Sequence, residues 1–212
     1  MNIFVLDKDP IVSAKMYCDK HLPKMVVELY QQLGSSVIRH GATPEQMPLT
    51  KKGTPLKGGY HNHPATRFCG DSRDNFIWAC YHAAALAEEY TKRFNKTHFC
   101  ADGIEILSNM AHLIPEGPLT PFAQCMPDEF KDADVVKAYR AYYHSKTFAK
   151  WETCSFMVEG GDSMKCNITY TESLYRWVCK CGTWDEILHP VFNQCEVKCR
   201  SCGEYVEWEE KE

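Results

Sequence analysis

Four cysteines near the end of the chain carry the most specific chemistry in the sequence. Cys179 and Cys181 stand in "VCKCG", Cys199 and Cys202 in "VKCRSCG", and a glycine, Gly182 or Gly203, follows each pair. Thiolates are zinc ligands, and a glycine after the second sulfur lets the turn aim backbone N–H groups at the metal-bound thiolates. The pattern predicts one structural zinc, because four sulfurs leave no open coordination position for catalysis. The first pair is spaced C-x-C where the usual knuckle is C-x-x-C, so Cys195 and His189 stand as alternative ligands. The plain alternative is a set of unconnected reduced thiols in a small β-rich tail.

A second set of reactive side chains lies at the other end. In "DKHLPKMVVEL", residues 19–29, His21 and Glu28 are seven apart, so on a helix they fall two turns apart on nearly the same face. An imidazole and a carboxylate so placed suit proton transfer; on the rim of a core helix they are two ordinary polar residues. "GGYHNHPATRF" sets Tyr60, His61, His63 and Arg67 after a double glycine and before a helical pattern. Its amides and cations suit a phosphate, while Pro64 alone accounts for a helix entry. "AYRAYYHSKTFAKW" interleaves Tyr139, Tyr142, Tyr143, Phe148 and Trp151 with Arg140, Lys146 and Lys150. Aromatics at helical spacing ordinarily form core, yet cations between them suit stacking and backbone contacts to nucleic acid.

These residues need elements to position them, and the pattern predicts a mostly helical body. "MNIFVLD" reads as a short strand or an exposed extended arm. Asp9 and Pro10 form a cap and first-turn pair, opening a helix that Pro23 kinks or restarts and Gly34 ends. "HGATPEQMPLTKKGTPLKGG" is a long loop. Further helices are expected over about 71–94, from about Asp102, and over about 132–150, with Asp128 in "LTPFAQCMPDEF" as an N-cap. Two domains follow: a helical one over 1–150 and a small β tail over 151–212.

Composition bounds the function. The chain has 212 residues, 44% hydrophobic and 25% charged, ordinary for one globular domain with an appendage. No apolar run is long enough to span a membrane and no signal peptide is evident, so a cytoplasmic protein with reduced thiols is expected. The net charge of −4 divides unevenly, with −6 on residues 151–212 and +2 on residues 1–150. The first part suits a polyanion through a local patch; the acidic tail suits bracing the fold or meeting a protein partner.

Taken together, the two cysteine knuckles resemble a zinc ribbon. "DKHLPKMVVEL" resembles the helix of the phage pyrimidine-dimer DNA glycosylases of the endonuclease V type, which carry a histidine and, seven residues on, a Glu-Leu pair, here His21, Glu28 and Leu29. Gly59, Tyr60, His63 and Pro64 match the Gly-Tyr-x-x-His-Pro segment of cellular relatives, "AEEYTKRF" looks like their second helix, and "AYRAYYHSK" is similar to the phage enzymes' aromatic, basic end. The chain is also similar to a group of phage proteins sharing its "MNIFVLD" and "CDKH" pattern, which implies a phage protein in host cytoplasm.

The resemblance covers about residues 1–150 and implies a helical DNA glycosylase/AP lyase acting in DNA repair. In that family an N-terminal α-amine attacks the sugar of the damaged nucleotide and a glutamate guides the protons. The implied catalytic residues are Met1, Glu28 and His21, the last positioning sugar or phosphate. Lys20, Lys24, Tyr60, His61, His63, Arg67, Arg140, Tyr143 and Lys146 are the implied DNA contacts. Asn2 is large enough to keep the initiator methionine, so the amine belongs to Met1. Val27 and Gln31 stand where the family has arginines. Two other functions remain open: a phage base-modifying transferase on the same scaffold, and a non-catalytic nucleic-acid or protein-binding module.

Overall fold

The computed structural model describes residues 2–150 and, of the remainder, the backbone of six short strands between residues 163 and 207. The chain divides into two compact units, Met1–Ala149 and Lys150–Glu212. The first is mainly helical. It runs α1 (Pro10–Lys15), α2 (Leu22–Arg39), α3 (Pro64–Asp71), α4 (Arg73–Phe94), α5 (Ala101–Ser108) and α6 (Val135–His144), with 3₁₀ turns at Pro44–Gln46, Ala111–Leu113 and Asp128–Phe130. Among its described residues no strand forms, only an isolated Leu49–Pro55 bridge.

α4 is the central element, with α1, α2, α3 and α5 packed against it. Its buried stripe of Phe76, Ala79, Ala83 and Leu86 meets the stripe of Leu22, Met25, Val26, Leu29, Leu33 and Val37 presented by α2. Local chemistry fixes the helix ends. Asp9 Oδ1 accepts from the Ile11 and Val12 amides at 2.8 and 2.9 Å, with Pro10 preset in the first turn. Ser72 Oγ caps α4 through the Asn75 amide, and Asn95 closes it in the left-handed region at φ +50°.

Several boundaries differ from those the sequence predicts. The expected helix from Asp9 to Gly34 is two, broken over 16–21, with Pro23 in the first turn of α2. Gly34 does not end α2, which runs on to Arg39. A Cβ at Gly34 would lie 2.6 Å from Leu56 Cδ2, so this glycine lets the 40–59 loop lie on the helix. The 71–94 helix begins at Arg73, and α3 is separated from it by Ser72. The last helix is shorter than 132–150, and its cap is Asp134, through the Val136 amide at 2.9 Å, while Asp128 opens a 3₁₀ turn instead.

The break between α1 and α2 is held by an arginine. Arg93, whose side chain is wholly buried, donates to the Lys15 and Tyr17 carbonyls at 2.8 and 2.7 Å and pairs with Asp19 at 2.9 Å and Glu89 at 2.7 Å. One guanidinium thus satisfies carbonyls left over at the end of α1 and fixes the turn leading to His21.

In the second unit the strands are β1 (Ser163–Lys165), β2 (Asn167–Thr171), β3 (Leu174–Val178), β4 (Trp184–Leu188), β5 (Val197–Lys198) and β6 (Tyr205–Glu207). They form two three-stranded sheets, β2-β3-β4 wholly antiparallel and β1-β6-β5 with β1 parallel to β6. The predicted zinc ligands Cys179, Cys181, Cys199 and Cys202, and the alternatives Cys195 and His189, lie outside the described residues.

Candidate active site

The site is built where the chain's start meets α2. Residues 3–6 are buried, 1–5% exposed, which corrects the expectation of an exposed arm. They belong to no sheet, so their backbone polar groups need other partners. Side chains supply them. The Phe4 amide donates to Tyr17 Oη at 2.9 Å, the Leu6 amide to Ser13 Oγ at 3.0 Å, and the Leu6 carbonyl accepts from Arg140 Nε at 2.8 Å. The Ile3 amide donates to Asn2 Oδ1, while Asn2 Nδ2 donates to the Cys125 carbonyl at 2.8 Å and Tyr139 Oη lies 2.9 Å from Asn2 Oδ1.

At the tip of this arm the Asn2 amide donates to Glu28 Oε2 at 3.0 Å. Met1 lies outside the described residues. Lys24, one turn before, approaches Glu28 Oε1 at 3.4 Å, but its side chain is 67% exposed against 13% for Glu28, so water weakens the pair. His63 caps α3 through the Ala65 amide at 3.2 Å; burial holds its imidazole below the ordinary histidine range, with Glu28 pulling the other way. Glu28 and His63 are near enough to interact electrostatically.

His21 is also close to the arm, as a supporting residue. Its ring, 8% exposed, stacks on Phe4 at 5.1 Å, and Nδ1 lies 3.0 Å from Tyr143 Oη. Burial, helped by Lys146, Lys24 and Lys20, pushes His21 down to about 4, so it is neutral at pH 7. Two of those cations sit on aromatic faces: Lys146 Nζ lies 3.8 Å from the Tyr142 ring centre and Lys20 Nζ 4.8 Å from that of Phe148. Among the predicted DNA contacts, Tyr143 is 2% exposed, so its ring offers no face to a base; its hydroxyl instead accepts from the Cys18 amide at 3.0 Å. Arg140 is occupied by Leu6 and Asp7 and ties down the arm.

The "GGYHNHP" loop lies on the same face of α2, one to two turns beyond Glu28. Gly59 N donates to Ser35 Oγ at 2.7 Å, and Ser35 Oγ donates to the Gly59 carbonyl at 2.8 Å. Gly58, at φ +69°, comes so close that a Cβ would lie 2.3 Å from Ser35 Oγ. Gln31, in one of the family's arginine positions, packs against Gly59. His61 and Arg67, both exposed, line a pocket of ≈ 200 Å³ with Ser35 and Arg39. The structure thus brings Glu28, Lys24 and His63 together at the arm, gathers Lys20, Lys146 and His21 beside Phe4, and sets His61 and Arg67 farther along α2. Sequence reading missed Asn2, Cys125 and Tyr139 as the arm's anchors. Their contacts span more than a hundred residues, and no local spacing encodes them.

The helical body thus sets the Glu28 carboxylate against the beginning of its own chain. Residues 1–102 match the family model of pyrimidine dimer DNA glycosylases. No curated protein and no solved structure matches the chain. Among the described residues no helix is long and apolar enough to cross a membrane, and no cluster of three His, Cys, Asp or Glu is placed to hold a metal.

Proposed function

We propose that the first unit is a DNA glycosylase/AP lyase in which the α-amine of Met1 is the nucleophile and Glu28 moves the protons. The observation that supports this is the 3.0 Å bond from the Asn2 amide to Glu28 Oε2. The amide that bonds Glu28 belongs to the residue directly after the proposed nucleophile. An α-amine titrates near ~8, so far more of it is free base at neutral pH than of a lysine.

The amine's lone pair attacks C1′ of the damaged nucleotide, forming an N–C1′ bond. The C1′–base bond breaks and the base leaves with the electron pair, taking a proton. Loss of the amine's proton and opening of the sugar ring give an imine. Glu28 accepts a proton from C2′, the C3′–O bond breaks, and the 3′ phosphate departs; water then hydrolyses the imine and frees the amine. Lys20, Lys24, Lys146, His61, His63 and Arg67 would contact the phosphates and sugar. Neutral His21 acts as a positioning residue through Phe4.

The second unit is proposed to hold one structural zinc through Cys179, Cys181, Cys199 and Cys202. The support is the antiparallel register Val178–Trp184 and Lys198–Tyr205, since each cysteine pair falls, in sequence, within the short connection of one hairpin. Its acidity suits a protein partner better than DNA.

Borohydride trapping tests the first reading. The untagged protein is expected to form a covalent adduct with DNA carrying a pyrimidine dimer or an abasic site. Binding with base alteration but no trapping would turn the assignment to the base-modifying transferase, and binding without turnover to the binding module.

A further inference from the structure

Tyr60 has no role in the chemistry just described, yet it is held at a local energetic cost. Its φ is +54°, a region that non-glycine side chains with bulk at Cβ seldom occupy, and its side chain is 64% exposed. An exposed aromatic gains little from packing, so nothing inside the fold repays that strain. The backbone around it is firmly fixed. Gly58 and Gly59 are locked onto Ser35 and Gln31 of α2, and the His63 amide donates to the Tyr60 carbonyl at 2.9 Å, closing the turn into α3. Gln31 is three residues, or about 5 Å of helix rise, beyond Glu28. The ring therefore projects from a fixed turn seated on the helix that carries Glu28.

An enzyme that attacks a sugar carbon inside a duplex must first disrupt the stack around the target, and a side chain that fills the opened space offsets part of that cost. We propose that Tyr60 is the wedge that enters the base stack beside the damaged nucleotide and holds the site open. The wedge rests on the glycosylase reading above. It supplies, on the loop, a function distinct from phosphate contacts: it stacks on a base face and carries no charge. The two glycines before it serve that end by letting the loop press against α2, so the force of insertion passes into a helix.

The test compares wild type with Tyr60→Phe, Tyr60→Ala and Tyr60→Gly on two probes: a duplex carrying a pyrimidine dimer, and a single strand carrying an abasic site, where no stack has to be opened. Borohydride trapping of Tyr60→Ala and Tyr60→Gly is expected to fall about tenfold or more on the duplex relative to the single strand, with Tyr60→Phe restoring it. Tyr60→Gly removes the backbone strain and should melt no lower than wild type, so its loss is not one of folding. A 2-aminopurine beside the dimer should brighten when wild type binds and stay dark with Tyr60→Ala. Equal trapping by wild type and Tyr60→Ala on the duplex would overturn the wedge, as would an equal loss on both probes, which marks a general DNA contact. A wild type inactive on both probes would overturn the glycosylase reading itself, and the 2-aminopurine signal would then judge the wedge alone.

Discussion

The Asn2 amide lies 3.0 Å from Glu28 Oε2, joining the chain's start to the second turn of α2 across twenty-six residues. A carboxylate so placed can do two things: hold the arm, or accept protons beside the terminal amine. One substitution separates them.

Glu28→Gln keeps an acceptor for the Asn2 amide and removes the base. Turnover on abasic DNA is expected to fall by about a hundredfold or more, with DNA affinity nearly kept and a melting temperature within a few degrees of wild type. Unchanged trapping with a lowered melting temperature would make Glu28 a structural anchor only.

Acetylation of the α-amine should abolish trapping. The arm behind it is another matter: Phe4 is 5% exposed and packs on Tyr17, His21, Tyr139 and Tyr143. Phe4→Ala should therefore cost about 3–5 kcal/mol in chemical denaturation. A cost below about 1 kcal/mol would mean that the arm is not part of the core.

Stability should fall with acid through the histidines. Burial pushes His82 down to about 4, and its Nδ1 lies 2.7 Å from the Pro10 carbonyl, which only accepts, so that nitrogen carries the proton of the neutral ring. Nε2, 3.1 Å from Tyr17 Oη, then has no proton of its own. The unfolded chain takes up a proton near pH 6.5 and the folded one only near 4. His82 therefore leaves stability intact above pH 6.5 and lowers it by about 3 kcal/mol as pH falls to 4. His21, pushed the same way, adds to this. Denaturation midpoints measured from pH 7 to 4 should show the decline, and His82→Gln should flatten it.

Arg93→Met should be among the more damaging single changes in the first unit. It leaves Glu89, 1% exposed, as an uncompensated buried carboxylate and frees the Lys15 and Tyr17 carbonyls. A loss of about 3–5 kcal/mol is expected from equilibrium unfolding, whereas breaking the exposed ion pair Lys131–Asp128 should leave the unfolding midpoint nearly unchanged.

Metal analysis of the purified protein should find one zinc per chain. Cys199→Ser or a strong chelator should release it and unfold residues 151–212, because about sixty residues bury little core unaided. A folded tail without zinc would refute the assignment.

What the sequence revealed was local. Asp9 with Pro10 announced α1 and the apolar stripe announced α2, because caps and periodicity act within a few residues. Tyr139 followed the ordinary rule that aromatics at helical spacing form core, being 0% exposed. Gly34 misled because glycine has two uses, ending a helix and admitting a neighbour, and only the distant Leu56 decides between them. The site divides in the same way. Glu28 and His63 stood in readable patterns, whereas the anchoring of Asn2 by Cys125 and Tyr139 depends on pairings 123 and 137 residues apart.

The buried arm also imposes an order on biosynthesis. Its residues precede Cys125, Tyr139 and Arg140, which hold it, by more than a hundred positions, so they are synthesised well before these partners. At synthesis speeds of about 5–20 residues per second, roughly six to thirty seconds separate the arm from these anchors. The bonds of the Phe4 amide to Tyr17 and of the Leu6 amide to Ser13 can form early, whereas those of the Asn2 side chain and the Leu6 carbonyl must wait. A chain cut before Cys125 therefore loses the side-chain anchors of Asn2 while keeping α1, α2 and α4.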